Sequence, residues 1–107
     1  MTKCEFFRDQ ERITGFSISG HSGYAEAGSD IVCASITAAV TMAEAIINDV
    51  CGGKAKVRVK EADARITLTL PTVCEEEETI QSVLAGMMLY LINLRDDYED
   101  YIEVLEV

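Results

Sequence analysis

The period at which apolar residues recur switches between two and about 3.6 along this chain, and few architectures accommodate such switching. Residues 2–8 and 12–19 alternate as two strands, joined through the polar Asp9-Gln10-Glu11 into a hairpin. Val32, Ile36, Ala39/Val40, Ala43, Ile46/Ile47 and Val50 then recur at helical spacing. Ser29 or Asp30 stands where a helix cap is needed, and Gly52-Gly53 stands where the helix should stop. Apolar residues cover most of this segment's circumference. The helix is therefore expected at the centre of the core, between the sheet and either a second helix or a subunit partner.

Period two returns in Ala55, Val57 and Val59, which alternate with Lys54, Lys56, Arg58 and Lys60. After a turn at Glu61-Ala62-Asp63-Ala64, Ile66, Leu68 and Leu70 alternate with Arg65, Thr67 and Thr69. Pro71 ends that strand, and Glu75-Glu76-Glu77-Glu78 places negative charge in the first turn of a second helix, where the dipole favours it. Ile80, Val83/Leu84, Met87, Leu91, Leu94 and Tyr98 form this helix's buried stripe, and residues 101–107 alternate as a last strand. The expected fold is α+β in two layers: order β-β-α-β-β-α-β, with two helices on one face of a mixed sheet of about five strands. The other face carries Thr, Ser, Lys and Arg and is expected to meet water or a second subunit.

A chain of 107 residues is expected to be one domain, residues 1–107, with a core that needs no staples. The formal charge of −10 disfavours nucleic acid and anionic membranes as direct partners and favours a cationic one. The basic row from Lys54 to Lys60 fits the wet side of a strand. No apolar run is expected to reach the ~18 residues of a spanning helix, and Met-Thr-Lys-Cys-Glu is no secretion signal, so a reducing cytoplasm is expected. Cys4, Cys33, Cys51 and Cys74 include no Cys-x-x-Cys pair and accompany a single histidine, so neither a metal nor another cofactor is expected.

Chemistry concentrates in residues 20–37. Gly20, Gly23 and Gly28 make a loop, whose only histidine, His21, follows a strand, and Cys33 falls twelve residues later in the first turn of a helix. Backbone N–H groups at a helix start lack internal partners and the dipole there is positive, so a thiolate is stabilised. If the strand delivers His21 to the helix mouth, the imidazole can take the thiol proton, which is what nucleophilic catalysis by cysteine requires. The same N–H groups can receive the oxygen of a tetrahedral intermediate. Asp30, one turn earlier, either orients His21 or caps the helix. Thr37, one turn later, either bonds the thiol or substrate, or bonds the carbonyl four residues back. Read blandly, Cys33 is a small buried hydrophobe and His21 a loop residue. Cys4, Cys51 and Cys74 have no comparable setting. The glycine spacing does not make a phosphate loop, because no lysine or arginine lies between Gly15 and Gly53.

Gly20-His21-Ser22-Gly23-Tyr24-Ala25-Glu26-Ala27-Gly28-Ser29-Asp30-Ile31-Val32-Cys33-Ala34 resembles the signature of the bacterial ribosomal-processing cysteine protease family. The resemblance extends through Ile13-Thr14-Gly15-Phe16 and the acidic second helix. It implies an endopeptidase that removes a short N-terminal extension from a large-subunit ribosomal protein. His21 would be the general base, Cys33 the nucleophile and Asp30 the supporting aspartate, while Thr37 stands where a serine is expected. It also implies a homodimer and a mobile loop, here Ser22, Gly23, Tyr24, Gly28 and Ser29 with the residues between, that opens to admit peptide. A basic ribosomal protein suits the −10 charge. Two other readings are a non-catalytic ribosome-assembly module that binds the same partner and a thiol redox sensor at Cys33.

Overall fold

Five strands and two long helices form the two layers of a computed structural model that describes residues 1–107. The strands are β1 (Thr2–Asp9), β2 (Arg12–Ser19), β3 (Lys56–Lys60), β4 (Arg65–Thr69) and β5 (Ile102–Glu106). The helices are α1 (Ile31–Glu44) and α2 (Glu77–Asp97). The sheet order is β3-β4-β2-β1-β5; β1 and β5 run parallel and all other neighbours antiparallel. The α+β class, the order of elements and the mixed five-stranded sheet agree with the sequence reading.

One sheet face is apolar because alternate residues project to the same side. Cys4 and Phe6 of β1, Phe16 and Ile18 of β2 and Leu68 of β4 are buried against Val32, Ile36, Val40 and Ala43 of α1 and Ile80, Leu84, Met87, Met88 and Leu91 of α2. Strict alternation would turn Thr14 inward with Phe16. A bulge prevents it: Phe7 pairs with Gly15 and Arg8 with Ile13, so Thr14 is the extra residue and Ile13 reaches the core. The Gln81 side chain replaces the missing strand partner, accepting from the Ile13 N–H and donating to the Ile13 carbonyl, both at 2.8 Å. At Gly15 the backbones of β2 and β4 approach so closely that a Cβ would lie 2.1 Å from the Leu68 carbonyl oxygen.

Several expectations are corrected. The first helix packs on the sheet and the second helix as expected, but its apolar surface is not all covered: Ile31 and Met42 are exposed on its outer face. Its last six residues, Ala45–Val50, wind as a π-helix, which keeps Ile47 inside but swings Val50 to 77 % exposure. The unbroken stretch Ile31–Val50 is 20 residues long and holds an 18-residue window of mean hydropathy 1.7, so one segment does reach spanning length and apolarity, with its inward face packed on the sheet. β3 starts at Lys56, since Lys54 takes a φ of +55° and Ala55 gives both backbone groups to the Asn48 side chain. Only Glu77 and Glu78 of the acidic run lie in the first turn of α2. Arg12 ties that turn to β2 through Glu77, with Nη2 2.8 Å from Oε1, and also donates to the Pro71 carbonyl at 2.8 Å.

Candidate active site

The site forms where the central strand β2 ends. Gly20 adopts a φ of +83°, and a Cβ there would sit 2.8 Å from the Met1 carbonyl oxygen, so the backbone can turn only without a side chain. Its N–H donates to the Ala64 carbonyl at 3.1 Å, and its carbonyl accepts from Thr2 Oγ1 at 3.3 Å. His21 therefore leaves the sheet between the first residues of β1 and the turn preceding β4. Its imidazole is exposed.

Asp30 caps α1. Its Oδ1 accepts the N–H groups of Val32 at 3.0 Å and Cys33 at 2.9 Å, while Oδ2 accepts the Ser22 hydroxyl at 2.5 Å. These bonds, the one from Ser22 foremost, hold its carboxyl well below the usual range, at about 2. Neither oxygen receives a bond from His21, so the geometry is that of the capping alternative. The cap also changes an expectation about the helix start. The N–H groups of Val32 and Cys33 are occupied by Asp30 Oδ1, and that of Ala34 by the Asp30 carbonyl at 3.0 Å. The amide directed at the Cys33 sulfur comes from the loop instead: Ser22 N–H donates to Sγ at 3.3 Å.

Ser22 therefore differs from its loop neighbours. It is 2 % exposed, whereas Gly23, Tyr24, Gly28 and Ser29 are exposed. Tyr24 N–H also donates to Ser22 Oγ, at 3.2 Å. The Tyr24 ring stands edge-on to Tyr98 at 5.5 Å and to Tyr101 at 5.3 Å between centroids, which rests the loop on the α2–β5 connection. Neither relation was apparent from sequence, because each depends on partners brought together by folding.

His21, Cys33 and Thr37 are the three residues shared by two adjoining concavities. One, of about 830 Å³, is walled by the loop, Asp30, Ala34 and Ala38. The other, of about 280 Å³, has an apolar lining from Ile18, Ile36, Val40 and Ile66, with Thr2 and Thr41 beside it. Thr37 turns to this cleft, while its neighbour Ser35 makes the backbone bond four residues back, to the Ile31 carbonyl at 2.7 Å. Cys33 is partly exposed at the junction. Cys4 is fully buried, and burial pushes its thiol up to about 12. Burial also raises the Cys74 thiol, and Glu77 adds to the rise.

Residues 1–103 match the family described as cysteine protease Prp. The ribosomal processing cysteine protease Prp of Bacillus subtilis (strain 168) is 29 % identical over 94 residues, covering 86 % of this chain and 84 % of that protein. The crystal structure of the ribosomal processing protease Prp from S. aureus with a covalently linked product peptide superposes with a TM-score of 0.89 at 19 % identity, covering all of both chains. The same S. aureus protease with a substrate peptide gives a TM-score of 0.85 at 18 % identity, again over both full chains.

Proposed function

Because this chain belongs to the cysteine protease Prp family and is a cysteine protease, we propose that it is an endopeptidase that removes an N-terminal extension from a basic large-subunit ribosomal protein. The observation that carries this reading is the position of His21, Cys33 and Thr37 at the junction of the two concavities. An extended peptide laid across the junction presents its scissile carbonyl to Cys33 and a side chain to the apolar pocket.

In this mechanism His21 takes the Cys33 proton, and the Sγ–carbon bond forms as the carbonyl becomes a tetrahedral oxyanion. Collapse breaks the carbon–nitrogen bond, and the imidazolium passes its proton to the leaving amine. Water, deprotonated by His21, then hydrolyses the thioester, releasing the acid and restoring the thiol. Asp30 supports the sequence by fixing the helix start that carries Cys33. Thr37 offers its hydroxyl to the substrate.

The acidic segment Asp96-Asp97-Tyr98-Glu99-Asp100 carries one of the tyrosines on which the loop rests, so negative charge lies under the loop, where it draws a basic substrate. The proposal includes a cytoplasmic setting, where thiols stay reduced, and a homodimer. Two chains of charge −10 meet most readily across an uncharged surface, and the groove between α1 and α2 is one, lined by Met42, Ile46, Val83, Met87 and Tyr90. Light scattering across a dilution series tests the dimer.

Mass spectrometry of an extended ribosomal protein before and after incubation tests the activity. The native protein shortens the partner at one peptide bond, whereas Cys33→Ala and His21→Ala do not, with circular dichroism unchanged. Undiminished cleavage by either variant defeats the assignment. Binding without any mass change would instead favour an assembly module.

A further inference from the structure

We propose that Ser22 is a positioning residue for catalysis, its hydroxyl bond to Asp30 holding the Ser22 N–H against the sulfur of Cys33. The role rests on the protease reading above and adds a residue to its machinery. Three observations converge on it. Ser22 is buried inside an exposed loop. Its Oγ donates to Asp30 at 2.5 Å and accepts from Tyr24 N–H at 3.2 Å, so both hydrogen-bonding functions of the hydroxyl are satisfied locally. Its own N–H reaches Cys33 Sγ at 3.3 Å.

The chemistry explains why a loop amide is needed. The usual source of donors, the first turn of α1, has its Val32 and Cys33 N–H groups occupied by Asp30 Oδ1. An amide directed at Sγ stabilises negative charge on the sulfur in the resting site. When Sγ bonds to the substrate carbon, the new oxyanion develops on the oxygen of that carbon, two bonds from Sγ, where the same donor can turn to meet it. Asp30 thus performs two tasks with two oxygens: one caps the helix that carries the nucleophile, and the other anchors the loop that supplies the donor. The Tyr24 bond links this anchor to the part of the loop resting on Tyr98 and Tyr101.

The test is Ser22→Ala, which keeps the backbone N–H but removes what aims it. Iodoacetamide labelling of Cys33, followed by mass spectrometry from pH 5 to pH 10, reads the thiolate without reference to any substrate. His21 and Asp30, the titratable groups lining the cleft with Cys33, are retained in this variant; Asp30 loses the Ser22 bond, but its ordinary value of 3.8 still lies below the range scanned. The labelling midpoint is expected to move up by about half a pH unit or more, and kcat to fall about tenfold with KM little changed. Ser22→Thr, which retains the hydroxyl, should recover most of both. A folded Ser22→Ala with native labelling and kcat overturns the proposal. So does a folded Ser22→Thr that behaves like Ser22→Ala, since retaining the hydroxyl would then restore nothing. If the native protein cleaves no ribosomal protein, the labelling profile still decides the role of Ser22.

Discussion

Tyr24 stands edge-on to Tyr101 with ring centroids 5.3 Å apart, although 77 positions separate them in the chain. The contact, together with Tyr98, joins the loop over the cleft to the start of β5. Each aromatic pair contributes about 0.5–1.5 kcal/mol beyond the area it buries. Tyr24→Ala should therefore loosen residues 23–29 without unfolding the chain. Limited proteolysis within the loop is expected to accelerate several-fold, while the melting temperature changes little.

The Asp30 carboxyl gives a signed pH dependence. Its value in the fold, about 2, lies below the ordinary 3.8, so its contribution to stability is fully present above the ordinary value. That contribution is lost as pH falls toward about 2, when the folded carboxylate takes up its proton. Thermal melts of the native protein and Asp30→Ala should differ at neutral pH and converge near the acidic end of this window. A difference that persists unchanged through the window would contradict the assignment.

The thiols should be chemically unequal. Cys4 is fully buried with its thiol pushed up to about 12, and Cys74 is raised by burial and by Glu77. Brief alkylation of the native protein near pH 7 is expected to mark Cys33 and to leave Cys4 unmodified. Denaturation should expose all four cysteines. The measurement is peptide mapping by mass spectrometry.

At Gly15 the close approach of β2 and β4 permits no side chain. A Cβ would lie 2.1 Å from the Leu68 carbonyl oxygen, which belongs to the backbone and cannot swing away. Gly15→Ala is expected to cost at least about 2 kcal/mol. Denaturant unfolding reads the loss directly. A core truncation such as Phe16→Ala should cost about 3–5 kcal/mol by removing a fully buried ring.

Steering by charge makes activity sensitive to salt. With a net charge of −10 and an acidic segment at residues 96–100 under the loop, kcat/KM toward a basic substrate should fall several-fold as salt rises from about 0.05 to about 0.5 M. A neutral peptide with the same cleavage site should show little change. Equal sensitivity of both substrates would place the salt effect elsewhere.

Much of the fold was legible because it follows from short-range pattern. Val57 and Val59, or Ile80, Leu84 and Leu91, announce their period within a few residues. The helix start was legible for the same reason: Asp30 lies three residues before Cys33, which is the reach of a cap. Where the reading failed, an interaction from outside the window intervened. Val50 follows the helical stripe yet is exposed, because a π-turn rewinds the last six residues of the helix. Thr14 breaks the strand alternation because Gln81, far along the chain, supplies the partner that permits a bulge.

By itself the sequence determined the order of elements, the two-layer class, and the place of Cys33 in the first turn of a helix, all of which depend on local spacing. Only the tertiary structure decided what surrounds that thiol. It occupied the helix-start amides with Asp30, brought the Ser22 N–H to the sulfur, and set Ile18 and Ile66 beside Ile36 and Val40 to line a pocket. Those relations join residues from separate strands, a loop and a helix. No periodicity encodes them, because they exist only once burial of the common apolar face has fixed how the layers pack.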